Sequence, residues 1–300
     1  MKLVTYEEQG AIHVGLLTES ETEIVPIAEA ERKLFGSTII PDSMIGIINT
    51  EAETVPLITA IREKHADIAL RTLALNSVQL LAPIPRPVKN IFCIGKNYRE
   101  HVKETQAFLS NADIPQFPIV FSKAPTAVTG PEGIIKNHTA VKRLDYEAEL
   151  AVIIGKKGKE IKKEEAYDYI FGYTILNDVS ARDLQIRHGQ WLLGKSCDTY
   201  APMGPCIVHK SALLKAQELD IECKVNDEIR QSANTSDMIF DIPTLIETIS
   251  SVITLEPGDI IATGTPSGVG IGFNPPKYLS SGDVIEIYIE GIGILRNKVE

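Results

Sequence analysis

Residues 144–155 read LDYEAELAVIIG, and the alternation in this stretch decides the fold. Ala148, Leu150, Val152 and Ile154 fall on one side of a period-two pattern. Glu147 and Glu149 fall on the other, followed by Ala151 and Ile153. The spacing predicts a strand that is apolar on both faces and carries two carboxylates at its start. Like charges side by side at the edge of apolar sequence repel and resist burial, and a divalent cation removes both difficulties. A solvated strand face bearing two glutamates is the competing reading.

Other short β-type segments surround this one: NIFCIG, PIVFSK, FGYTILND, CIVHK, IECKVN, DIIATG, VIEIYIEG and ILRNKV, punctuated by Gly, Pro, Asn and Asp. Helical candidates are fewer, at 97–109, 162–170, 179–189 and 243–252. Residues 1–17 read as two strands about the turn EEQG, and 27–76 as mostly helical. Between the halves lies LAPIPRPVKN (81–90), where Pro83, Pro85 and Pro87 exclude helix and central strand. The expected architecture is mainly β with some α (α+β). A small N-terminal α/β domain occupies 1–82, and a C-terminal β-roll or sandwich domain occupies 83–300.

The chain has 300 residues, enough for one large or two smaller domains with a real core. Its net charge of −10 disfavours nucleic acid and anionic membranes as partners. No apolar stretch is long enough to span a bilayer, and the opening MKLVTYEEQG lacks the pattern of a signal peptide. Cys93, Cys197, Cys206 and Cys223 show neither CxxC nor zinc-type spacing. A reduced, cytoplasmic setting is expected.

Asp178 ends the apolar run YIFGYTILN and is a third carboxylate available to the pair. Three carboxylates without His or Cys make a hard oxygen site suited to Mg²⁺, Mn²⁺ or Ca²⁺. The alternative for Asp178 is a cap on a helix through VSARDLQIRH. His101 and Glu104 stand three apart in GKNYREHVKE, so on a helix they share a face. The carboxylate can then fix the imidazole tautomer as a general base requires. A surface pair is the bland alternative. FLSNADIPQFP (108–118) follows, which reads as a mobile element able to close over a pocket. Lys195 in WLLGKSCDTY is a lone lysine in apolar, glycine-flanked sequence, either paired and functional or snorkelling to the surface. DIIATGTPSGVGIGF (259–273) ends in a loop dense in Gly, Thr and Ser whose N–H groups suit a carboxylate or phosphate. It is no dinucleotide fingerprint, because NPPKYL follows.

Taken together, GKNYREHVKE, LDYEAELAVIIG, FGYTILNDVSARDLQ, GKSCDTYAPMGP and DIIATGTPSGVG resemble, in order, the motifs of the fumarylacetoacetate hydrolase family. The resemblance implies a mainly β catalytic domain, a homodimer, and Mg²⁺ or Mn²⁺ held by Glu147, Glu149 and Asp178. It implies Lys195 as the site lysine and His101 with Glu104 as a dyad on a lid. Lys96, Arg182, Gln185 and Thr265 fall on the substrate side. Lys96 replaces the arginine many relatives carry. The implied activity is C–C bond cleavage of a small 2-oxo acid through a pyruvate enolate, as oxaloacetate decarboxylation or acylpyruvate hydrolysis. The alternatives are a dehydratase or isomerase of a sugar-derived or aromatic-catabolic 2-oxo acid, and a non-catalytic binding protein retaining the fold.

Overall fold

The computed structural model describes residues 1–65, 70–105 and 114–300. The strand Ala148–Ile154 is buried along its whole length and lies near the centre of a twelve-stranded sheet. Ile170–Asn177 pairs antiparallel with it on one side and Ile260–Ala262 on the other. Ile91–Gly95 then adds in parallel, and Ile119–Lys123 closes that edge.

The two faces of Ala148–Ile154 divide as the alternation requires. Leu150, Val152 and Ile154 join a core with Ile221, Cys223, Ile285, Ile287 and Leu295. Those partners come from a second, five-stranded sheet built on Asp220–Val225, Val284–Ile289 and Gly293–Val299. Ala151 and Ile153 join a separate core with Ile27, Ile47, Ile48, Ile58 and Ile61 from N-terminal helices. The helices Ile27–Phe35, Met44–Asn49 and Glu51–Lys64 therefore cover one face of the sheet, and the second sheet covers the other. This is a mainly β fold with a few helices, as expected.

The N-terminal strands extend the large sheet. Lys2–Glu8 pairs antiparallel with Ala201–His209, and Ala11–Leu17 and Glu23–Pro26 follow outward. The sheet thus runs across the proline-rich joint. The helical reading of 27–76 holds only as far as Lys64. Leu73–Ala74 and Gln79–Leu81 are short strands pairing with Glu23–Pro26 and Lys2–Glu8. There an available sheet edge overrides the local helical preference of the sequence. The segment 97–109 forms the helix Arg99–Thr105, 179–189 forms Arg182–Arg187, and 243–252 forms Ile242–Ser250. The segment 162–170 is a 3-10 helix, Lys163–Tyr169. Residues 106–113, including most of the expected closing element, lie outside the described residues.

Candidate metal centre and active site

Three elements deliver the carboxylates. Glu147 sits in the break before Ala148–Ile154, Glu149 is that strand's second residue, and Asp178 follows the end of Ile170–Asn177. The antiparallel register places Ala148 opposite Asn177, so a strand start and a strand end meet. Backbone and side-chain bonds seal the junction: Asp178 N donates to Glu147 O at 2.8 Å, and Glu147 N to Asn177 Oδ1 at 3.0 Å. All three acids are buried, and one oxygen from each lies within 4.8 Å of the others. The capping role for Asp178 is excluded. The helix Arg182–Arg187 begins at Ala181 without a side-chain cap, and Asp178 points to two lysines.

Lys195 Nζ lies 2.8 Å from Glu147 Oε2 and 2.7 Å from Asp178 Oδ2, buried as a paired functional lysine would be. Lys123 Nζ lies 2.6 Å from Asp178 Oδ1 and 3.1 Å from Val179 O, fully buried. Arg182 Nε lies 2.9 Å from Asp145 Oδ2, and its Nη2 lies 2.7 Å from Glu147 Oε1. That last contact is an ion pair by distance but is not aligned as a hydrogen bond, which leaves Nη2 available to another acceptor. Arg182 Nη1 donates to Gln185 Oε1 at 3.1 Å. Arg182 was expected on the substrate side; the structure ties it to Asp145 and Glu147 as well.

The electrostatics separate the two glutamates. Burial alone would raise Glu147, but the charges of Lys195 and Arg182 hold it below the ordinary carboxylate range. Glu149 has no ion pair among the described residues, only the Gly264 N–H at 2.8 Å. Burial, then the charges of Asp178 and Glu147, push it well above that range. Four buried carboxylates (Asp145, Glu147, Glu149, Asp178) face three buried cations (Lys123, Arg182, Lys195), leaving one acid in excess. The all-oxygen donor set and the unpaired Glu149 fit a hard divalent cation.

His101 and Glu104 share a face of the helix Arg99–Thr105, with His101 Nδ1 2.8 Å from Glu104 Oε1. A carboxylate only accepts, so Nδ1 carries a proton, and the neutral tautomer this selects has its lone pair at Nε2. Glu104 Oε2 accepts from Gly268 N at 2.9 Å, which pins the dyad to the Gly/Thr loop.

That loop serves the protein's own acids. Gly264 N binds Glu149, Gly268 N binds Glu104, and Gly270 N and Ile271 N bind Asp145 at 2.7 and 3.0 Å. The four N–H groups predicted to hold an external anion instead orient three carboxylates. Thr265 Oγ1 accepts from Gln231 Nε2 at 2.7 Å, so its own proton remains free to donate elsewhere. Lys96 is half-buried at φ 57° between the strand Ile91–Gly95 and the helix Arg99–Thr105.

Four residues of this arrangement escaped the sequence reading: Lys123, Asp145, Asn97 and Gln231. Asp145 continues the alternation of Glu147 and Glu149 one step upstream, a visible signal. Lys123 is a lone cation ending an apolar strand, as Lys195 is a lone cation after an apolar run. Asn97 and Gln231 act across the fold. Asn97 Nδ2 donates to Phe240 O and Thr263 O at 3.0 and 2.7 Å, and its Oδ1 accepts from Phe240 N at 2.8 Å. Gln231 reaches from the second sheet to Ala148 N, Thr265 and Pro266.

Two packed sheets enclosing three converging buried carboxylates beside a His–Glu pair define the class of fold and site to which the chain conforms. The chain belongs to the fumarylacetoacetate hydrolase family: the model of the Fumarylacetoacetate (FAA) hydrolase C-terminal region matches residues 90–300. An oxaloacetate tautomerase of Bacillus subtilis is 51% identical over 304 residues, covering 100% of both chains. A mitochondrial oxaloacetate tautomerase of Rattus norvegicus is 44% identical over 245 residues, 79% of this chain and 76% of its own. Among solved structures, a fumarylacetoacetate hydrolase from the psychrophile Exiguobacterium antarcticum superposes with a TM-score of 0.84. It is 38% identical, covering 100% of this chain and 99% of its own. No described helix is long and apolar enough to cross a membrane.

Proposed function

We propose that this chain is a divalent-metal-dependent enzyme of small 2-oxo acids that interconverts the keto and enol forms of oxaloacetate. The carrying observation is the convergence of Glu147, Glu149 and Asp178 within 4.8 Å beside Lys195. Two relatives named as oxaloacetate tautomerases support the choice of substrate and of reaction. The sequence expectation put C–C cleavage first and isomerisation second. The names of these relatives favour the reverse order.

Glu147, Glu149 and Asp178 would hold Mg²⁺ or Mn²⁺, which would supply Lewis acidity to a 2-oxo acid bound there. The remaining steps belong to the chain. Arg182 Nη2 and the amide N–H of Gln185 receive a substrate carboxylate. His101 Nε2, oriented by the Glu104 contact at Nδ1, takes a proton from C3. Lys195 donates to the oxygen that gains charge, a stabilisation strongest where water is excluded. Transfer of the Lys195 proton to that oxygen gives the enol; His101 then passes its proton to solvent, Lys195 regains one from solvent, and the reverse path gives the keto acid. Thr265 and Lys96 complete the substrate side. A homodimer, from the family likeness, and a cytoplasmic setting, from the four unpaired cysteines, are part of the same proposal.

The test follows the ultraviolet absorbance of enol-oxaloacetate with Mn²⁺ or Mg²⁺, and pyruvate release in parallel. Enol decay faster than with metal alone, without matching pyruvate, supports tautomerisation. Equal rates for enol loss and pyruvate release would establish decarboxylation instead, the reaction the same dyad and lysine also suit. No acceleration of either removes the proposal.

A further inference from the structure

The two buried lysines of the site are anchored differently, and we infer that they have opposite relations to the cation. Lys123 is a positioning residue that holds Asp178 for the metal, whereas Lys195 is a resident counterion that leaves when the metal enters. This rests on the reading of Glu147, Glu149 and Asp178 as metal ligands.

Lys123 ends the sheet strand Ile119–Lys123, paired through its backbone with Ile91. Its Nζ holds Asp178 Oδ1 at 2.6 Å and also the backbone carbonyl of Val179 at 3.1 Å. That second bond goes to main chain and does not depend on the state of the site. Lys123 thus fixes one oxygen of Asp178 and leaves Oδ2 as the oxygen open to a cation.

Among the described residues, Lys195 Nζ has no main-chain anchor of this kind. Its Nζ touches Glu147 Oε2 and Asp178 Oδ2, with the Phe121 ring centroid at 5.1 Å. Both oxygens belong to residues of the three-carboxylate cluster. Lys195 ends a four-residue helix, Leu192–Lys195, so its backbone lies outside the sheet that carries the acids. A cation reaching Asp178 Oδ2 and Glu147 Oε2 meets an ammonium at 2.7 and 2.8 Å from those oxygens, and the like charges repel each other in a buried setting. Lys195 then turns toward the substrate oxygen. Metal entry and arming of the lysine become a single event, so the protein without metal is protected from presenting a free, reactive amine.

The opposite roles predict opposite signs. Titration of Mn²⁺ into the whole protein, read by calorimetry and by the free Mn²⁺ paramagnetic signal, needs no turnover. Lys195→Met should bind Mn²⁺ at least about tenfold more tightly than wild type, and Lys123→Met at least about tenfold more weakly, with Lys123→Arg recovering most of the loss. If Lys195→Met does not fold, Lys195→Gln is held to the same criterion. Lys195 variants that bind Mn²⁺ no more tightly than wild type overturn the counterion role, and a Lys123→Met protein that binds normally overturns the positioning role. A folded wild type that binds no Mn²⁺ overturns the metal reading and this inference together. Mn²⁺ binding with the expected signs but no action on oxaloacetate supports this inference and overturns only the proposed reaction.

Discussion

Replacing Glu149 with Gln should make the metal-free protein more stable and the metal-loaded protein less so. Glu149 is buried with a single backbone donor, Gly264 N–H, while Asp178 and Glu147 press on it with like charge. Its folded pKa is raised above the unfolded value, so between the two the folded state binds the extra proton. Stability contributed by Glu149 is therefore present at low pH and lost as pH rises through that window. An uncompensated buried charge costs about 3–5 kcal/mol, and Lys195 offsets part of it here. Gln keeps an acceptor for Gly264 and carries no charge, so a gain of about 1–3 kcal/mol is expected at the alkaline end of the window. For a chain of this size that is roughly 2–4 °C in Tm per kcal/mol. Mn²⁺ at a hundredfold excess over Kd should then stabilise wild type by about 2.7 kcal/mol and the variant hardly at all. Thermal unfolding with chelator and with Mn²⁺, across pH, reads all of this. A Glu149→Gln protein less stable than wild type in chelator at alkaline pH, or equally stabilised by Mn²⁺, would refute the reasoning.

Glu104→Gln weakens the hold on His101 Nδ1 and should lower turnover by roughly 10²–10⁴-fold with Mn²⁺ affinity unchanged; a change in Kd instead would place Glu104 in the metal cage. Gly268 has φ +101°, and a Cβ there would lie 1.9 Å from Arg230 O. Gly268→Ala must shift the loop off Glu104, and steady-state kinetics should show kcat down by at least about tenfold, since small misplacements of a catalytic group are expensive. Asn97→Ala removes one buried and two part-buried hydrogen bonds and strands Phe240 N–H, so denaturant unfolding should show a loss of about 2–4 kcal/mol. A loss under about 1 kcal/mol would mean that water takes over those bonds.

The strand Ala148–Ile154 was legible because both of its faces are buried against different partners, so its alternation carries full information about the fold. The triad was legible for the same reason: acids do not stand in such a strand without a use. The helix Arg182–Arg187 was found, though its true start left Asp178 free for the site. The strand Glu228–Asn234 was missed because it is an outer strand, pairing among the described residues with Asp220–Val225 alone, and its one fully buried side chain is the polar Gln231, so its sequence EIRQSAN shows no apolar face. The signal lay in the turn before it, where Asn226 and Asp227 both have positive φ, the geometry of a tight hairpin. Asn97 and Gln231 stayed hidden because their partners lie far along the chain, and no local pattern encodes where a buried amide will find acceptors. The Gly/Thr loop was correctly seen as rich in donors. Which carboxylates it serves depends on tertiary placement alone.

The pairing of Lys2–Glu8 with Ala201–His209 has a practical corollary for anyone trimming the gene. A fragment cut to the stretch that aligns with the family would strip Ala201–His209 of its neighbour and uncover the cores beneath the N-terminal helices. Its bared main-chain groups would recruit other molecules edge to edge, and such a product should precipitate on expression. Where the family model begins and where the fold becomes self-sufficient are different places in this chain.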